Sequence, residues 1–198
     1  MSRIARILLL AAIALLTQAP AVASAESTKK LDDYLSALWT TVLETPSAQN
    51  SFGTGGAAFA CFNLGGTVAP LAPSGVESCT VKPGTRLFVA AASVECSTFE
   101  GNGSTDAELR TCARDGDADV APAVTIDGRT VPVAEVETPL LEIVLPADNI
   151  FGEPTGTPGL SVAHGWVALL HPLTPGAHTV FIDVDDGITT EIVVQPGG

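Results

Sequence analysis

The chain has 198 residues, 46% of them hydrophobic and 16% charged, with 9 basic against 22 acidic side chains and a formal net charge of −13. That share of apolar residues excludes a disordered polymer, and the acidic balance excludes nucleic acid as a partner because it repels a phosphate backbone. A multi-pass membrane protein is excluded as well: the leading apolar run, Ile7 to Leu16, is too short to span a bilayer.

That run follows Arg3 and Arg6 and precedes the small-residue patterns Ala21-Val22-Ala23 and Ala23-Ser24-Ala25. It reads as a secretory signal peptide over residues 1–25, with cleavage expected before Glu26. No cysteine lies there for lipid attachment and the two arginines are not adjacent, so the general secretory route is expected. Removing residues 1–25 takes two of the 9 basic side chains and none of the 22 acids, which leaves residues 26–198 with a formal charge of −15. These residues are expected to form one secreted, extracellular domain without an integral membrane segment. A domain of this size buries about 70% of its unfolded-chain surface, so no cofactor is needed to hold it and none is expected.

Leu31, Tyr34, Leu35, Leu38, Val42 and Leu43 recur at helical spacing and predict an amphipathic helix over 28–44 that Pro46 ends. From Ala57 onward short apolar or alternating runs separated by Gly, Pro, Asn and Asp predict strands. They fall near Ala57–Leu64, Arg86–Val94, Val124–Ile126, Arg129–Val136, Leu140–Leu145, Trp166–His171, His178–Val184 and Thr189–Val194. Asp127-Gly128 and Asp186-Gly187 are hairpin signals, because both central residues of the favoured two-residue turn need positive φ. One helix interrupts the strands: Thr105 and Glu108 form a capping box, Leu109, Cys112 and Ala113 give the inward side, and Gly116 is placed to end it. The Gly-, Pro- and Thr-rich piece from Gly152 to Gly159 reads as a surface loop.

Cys61, Cys79, Cys96 and Cys112 are an even set in an exported chain, so disulfides are expected. Three pairings are possible; sequence-local bridges, Cys61 with Cys79 and Cys96 with Cys112, are favoured. A zinc site is disfavoured because there is no C-x-x-C pair. The element pattern predicts a mainly β fold, an antiparallel β-sandwich with an N-terminal amphipathic helix and one short inserted helix. Its final stretch, Leu173-Thr174-Pro175-Gly176-Ala177-His178-Thr179-Val180 followed by an Asp-Gly turn and a closing strand, resembles the last strands of immunoglobulin-like secreted domains. The segments Gly53-Thr54-Gly55, Cys79-Thr80-Val81-Lys82-Pro83-Gly84, Leu87-Phe88-Val89, Val94-Glu95-Cys96 and the Pro-Leu-Thr-Pro-Gly-Ala-His run at 172–178 resemble an uncharacterised family of secreted bacterial proteins. The resemblance spans nearly the whole mature region and implies secretion and β architecture. It transfers no functional residues.

The chain has no G-x-S-x-G elbow, no H-E-x-x-H pair and no phosphate-cradling glycine loop with Lys. His164, His171 and His178 stand seven apart and invite a metal reading. Strand parity opposes it: His164 and His171 would face opposite sides of one strand. His178 would face the core and bond a turn carbonyl. Asp115, Asp117 and Asp119 resemble the opening of a calcium loop, but Val120 and Ile126 occupy the positions that would need Gly and a bidentate Glu. Asp183, Asp185 and Asp186 read as turn residues, and Trp166 as core. The expectation is a secreted, non-catalytic, extracellular or envelope-associated binding or structural module whose partner is a protein or cell-surface component. A calcium-stabilised adhesion-type domain and a secreted metal- or carboxylate-dependent hydrolase are the alternatives.

Overall fold

The computed structural model describes residues 28–184 and 186–197, with side chains from residue 30 onward; the expected signal segment and its cleavage site lie outside the described residues. In chain order the elements are α1 (Thr28–Glu44), β1 (Cys61–Asn63), β2 (Thr67–Pro70), β3 (Ser78–Val81), β4 (Arg86–Ser97), α2 (Asp106–Gly116), β5 (Ala123–Ile126), β6 (Arg129–Val131), β7 (Ala134–Glu137), β8 (Leu141–Val144), β9 (Pro158–Leu170), β10 (Gly176–Asp183) and β11 (Ile188–Val194). The fold is mainly β, with two sheets. The first runs β1-β2-β4-β9-β7, with β8 also paired to β9; the second runs β3-β11-β10-β5-β6.

The helical spacing read from the sequence is the buried stripe of α1. Leu35, Leu38, Val42 and Leu43 are sealed from solvent, with Leu31 and Trp39 nearly so, and each such side chain contributes about 1.5–3 kcal/mol through burial. They pack on Phe88, Ala90, Val136, Ile143, Ala163 and Val167 of the first sheet. Tyr34 stacks on Phe88 with ring centroids 5.5 Å apart, and the Trp39 indole N–H donates to Ser93 Oγ at 3.0 Å. Past the helix end, the buried Asn50 supplies what Pro46 cannot: its amide donates to the carbonyls of Val42 at 2.6 Å and Thr45 at 3.3 Å, satisfying acceptors that a helix terminus leaves open.

The two long strands, β4 and β9, pair antiparallel from Leu87–Leu170 to Ser97–Ser161, with a bulge between Ala90 and Ala92. The extra residue flips the alternation. Leu87, Val89 and Ala91 before the bulge, and Val94 and Cys96 after it, thereby face the same side, away from α1. The lower half of that face meets the second sheet: Leu87, Val89, Ala168 and Leu170 cluster with Val81, Val124, Val180, Ile182, Ile192 and Val194. The upper half meets α2, where Leu109 and Ala113 pack on Cys96 and Val162. The Thr105 and Glu108 capping box forms as expected, and disulfides join Cys61 to Cys79 and Cys96 to Cys112. The first bridge ties β1 of one sheet to β3 of the other; the second ties α2 to β4.

Several expectations are corrected. The sheets are mixed rather than purely antiparallel: β2 pairs parallel with β4, and β3 parallel with β11. The chain leaves the first sheet after β2, contributes β3 to the second and returns as β4. Asp-Gly turns report only sequence neighbours and are silent on such crossovers. The single strand expected over Arg129–Val136 is two strands in different sheets, broken at Pro132, which has no N–H to continue a ladder. The strand expected from Ala57 starts only at Cys61, after a short 3-10 turn over Gly56–Phe59. β2 and β3 were not anticipated. β9 begins at Pro158, well before the expected Trp166. At the β5–β6 hairpin both Asp127 (φ 49) and Gly128 (φ 74) are left-handed, as the turn requires. Gly116 does not end α2 through a left-handed conformation; a Cβ there would lie 2.7 Å from Val94 Cγ1, so its small size lets the helix sit on β4.

Gly165 is the tightest point of the central pair. A Cβ built there would lie 2.4 Å from the Ala92 carbonyl oxygen and 2.8 Å from Ser93 Cα, both main-chain atoms that cannot rotate away. Gly165→Ala is therefore expected to destabilise the protein by about 2 kcal/mol or more, although Ala is ordinarily the better strand residue, as read from a denaturant midpoint with unchanged slope.

Candidate functional site

Among the described residues, three places bring titratable side chains into hydrogen-bonded contact that bears on function. At the first, α2, β7 and β9 converge. The unbroken alternation of β9 puts His164 on the same face as Val162, toward α2, where its Nδ1 stands 2.7 Å from Asp117 Oδ1 and its Nε2 stands 3.3 Å from Glu135 Oε1. Asp117 is buried at the C-terminal cap of α2. Next to it Arg110 and Arg114, one helical turn apart, grip Glu137 of β7: Arg110 bonds Oε1 and also the Thr138 carbonyl at 2.9 Å, while Arg114 Nε donates to Oε2 at 2.5 Å. Burial pushes the Glu137 carboxyl up, but the bonds from Arg114 and Arg110 outweigh it and hold the group below its usual range.

The second place is the start of β10. His178 Nδ1 lies 2.7 Å from Asp127 Oδ2, and Nε2 lies 2.8 Å from the Thr174 carbonyl. The turn-carbonyl bond expected of this histidine is present. Asp127 raises the His178 pKa, and in return the His178 bond lowers that of Asp127.

The third is Glu95, on the α1 face of β4 after the bulge. Burial pushes its carboxyl up to about 7, the bond from Ser161 pulls it down, and the neighbouring Glu100 pushes it further up. Ser161 Oγ donates to Glu95 Oε1 at 2.5 Å. A carboxyl that shares its proton near neutrality can act as acid or base, but Ser161 is wholly buried, so the hydroxyl beside it is closed to a substrate.

The Asp115, Asp117 and Asp119 run does not share one environment. Asp115 and Asp119 are exposed and Asp117 is buried against His164. Asp119 instead lines a shallow, open hollow with Val120, Ala121, Asp183 and Val184, which brings one member of each acidic cluster to the same rim. Among the described residues no three His, Cys, Asp or Glu side chains are grouped to hold a metal ion. His164 and His178 have separate partners, and His171 is exposed past the end of β9. All four cysteines are bridged. Trp166 is half-buried rather than fully in the core.

Sequence reasoning missed Glu95, Glu135, Glu137 and the arginine pair. For Glu95 a signal existed: the one charged residue within the run from Leu87 to Cys96, whose other members are apolar apart from Ser93. For Arg110 and Arg114 the i, i+4 spacing on a short capped helix marked a face aimed at an acid, but only β7, placed by long-range pairing, supplies Glu137.

No protein-family model and no curated protein matches the chain. Among the described residues no helix is long and apolar enough to cross a membrane.

Because the folded state holds a proton on Glu95 that an unfolded chain releases near its ordinary value of 4.5, stability contributed by the protonated carboxyl is present below that value and is lost as pH rises toward 7. The loss amounts to up to about 3 kcal/mol. Glu95→Gln, which keeps the shape and the bond to Ser161 but cannot ionise, is expected to flatten this part of the profile and to raise the melting midpoint at pH 8 relative to the parent, checked by thermal melts from pH 4 to 8.

Proposed function

We propose that the chain is a secreted, non-catalytic binding or structural module of the extracellular space or cell envelope, with residues 26–198 forming one β-sandwich domain whose last two strands are immunoglobulin-like. The observation that carries this reading is that the groups able to do chemistry are spent inside the scaffold. Four cysteines form two bridges, His164 and His178 are paired with carboxylates, and the half-buried Glu95 is bonded to the hydroxyl of the buried Ser161. Export is supported by the signal-like residues 1–25 and by the two bridges, which persist in oxidising compartments. The two sheets meeting through one apolar cluster support the sandwich. The acidic surface favours a partner that tolerates or complements negative charge over anionic lipid or nucleic acid.

The alternatives differ in their need for an ion, so a thermal melt of the oxidised protein in chelator, then in excess calcium, then in excess zinc separates them. A ligand at 100 times its Kd adds about 2.7 kcal/mol of stability, a shift of several degrees in a domain of this size. The module proposed here melts at the same midpoint in all three. A rise with calcium alone moves the reading to a calcium-stabilised adhesion-type domain built on the rim of Asp119 and Asp183. A rise with zinc alone moves it to a metal-dependent hydrolase around His164.

A further inference from the structure

His178 stands beside an edge hairpin of the second sheet. Among the described residues β6, three residues long, is an edge strand paired only to β5, and β5 joins the rest of the sheet only through its four-residue ladder with β10. The β5–β6 turn is fastened by Asp127, a non-glycine residue at φ 49. Such a conformation costs about 1 kcal/mol or more and persists only where surroundings hold it. They hold it from three sides: the Asp127 N–H donates to the Thr179 carbonyl at 2.9 Å, Oδ1 accepts from the Thr179 N–H at 2.9 Å, and Oδ2 faces His178 Nδ1 at 2.7 Å.

The other side of the ring decides its chemistry. His178 Nε2 faces the Thr174 carbonyl at 2.8 Å, with the Thr174 hydroxyl farther off at 3.4 Å. A carboxylate and a carbonyl can only accept, and a neutral imidazole carries one N–H, so it can serve one of them and must turn a lone pair toward the other. The imidazolium serves both. The charged groups around the ring are Asp127 at the hairpin turn and Arg129 on β6, which acts on Asp127. β11 contributes Ile192 opposite His178, its Glu191 pairs with Thr179 and so points to the other face, and the loop before β10 contributes Thr174. The ring is partly buried, with 13% of its side chain exposed against 49% for Asp127, so the ring is held by the protein while its carboxylate partner stays open to solvent.

We propose that His178 is a proton-dependent latch: as imidazolium it fastens the β5–β6 hairpin to the loop that enters β10, and on losing its proton it loosens the hairpin tip and uncovers the adjacent edge of β10. The sign follows from the raised His178 pKa. The latch is fully closed below the ordinary histidine value of 6.5 and opens as pH rises from there through the folded value. Asp127, whose pKa is held down, sets the acid limit: its contribution is present above the ordinary aspartate value of 3.8 and is lost as pH falls through the lower folded value. A hairpin closed in mildly acid surroundings and loosened above neutrality offers an exposed strand edge, a site for adding a partner's strand, only under the second condition.

The test reads two signals from the oxidised protein. Nitrogen spectra of the His178 ring at pH 5.5 should show both ring nitrogens protonated. Amide exchange at Thr179, corrected for the intrinsic rise with pH, should lose protection about tenfold per pH unit above 6.5 until the folded ring has released its proton, while amides of β4 keep theirs. Asp127→Asn tolerates the left-handed turn but removes the charge; it should bring the ring titration down to the ordinary histidine range and abolish the pH-dependent loss at Thr179. A ring with a single N–H at pH 5.5, or Thr179 protection with the same pH dependence in Asp127→Asn, overturns the proposal. Should the variant fail to fold, the ring spectrum and the exchange profile of the parent decide the matter alone.

Discussion

The fold depends on the antiparallel pairing of β4 with β9. These are the longest strands, of 12 and 13 residues, and both their faces are covered: α1 lies on one side, the second sheet and α2 on the other. Strands buried on two sides carry continuous apolar runs instead of alternation, which is why Leu87 to Ala92 and Val167 to Leu170 are hydrophobic at nearly every position. The bulge at Ala91 keeps residues of both register phases on the face away from α1, and Gly165 lets the backbones close over it. Without that shift Val94 and Cys96 would turn toward α1, and α2 would have neither its apolar floor nor its disulfide partner.

Polar side chains do their work at the margins of this pair. Asn50 ends α1, Asn149 closes the loop before β9 through bonds to the Pro146 and Glu153 carbonyls and from the Phe151 and Glu153 amides, and Thr138 Oγ1 accepts from the Ala163 amide. Two histidines and two arginines follow the same logic and join elements far apart in sequence. Arg110 and Arg114 secure α2 to β7, His164 secures the end of α2 to β9, and His178 secures the β5–β6 hairpin to β10. The joint between His178 and Asp127 is sensitive to pH, because each partner shifts the titration of the other.

The sequence was most readable where structure is set locally. The α1 stripe, the Thr105–Glu108 capping box, the Asp127-Gly128 turn and the short-range disulfides depend on residues within about twenty positions of one another, and all are present. What depends on long-range pairing was not readable. Nothing near Thr67 or Ser78 announces the parallel partners β4 and β11, and Pro132 signals a break without revealing that the chain changes sheets there. The candidate site suffered in the same way. Asp117 looks like one of three equivalent acids in sequence, yet its burial against His164 follows from where α2 docks on β9. His178 was placed with its turn carbonyl by parity alone, while its acidic partner, Asp127, lies 51 positions away.

Amide hydrogen exchange of the native, oxidised protein tests the primacy of the β4–β9 pair most directly, because the slowest amides mark the unit that opens only on global unfolding. The slowest set is expected at Leu87–Ala90 and Val167–Leu170, with α2 and the second sheet exchanging through smaller openings. If the slowest amides instead lie in β10 and β11, with β4 and β9 opening earlier, the central pair is a consequence of the second sheet, and this account of the fold is wrong.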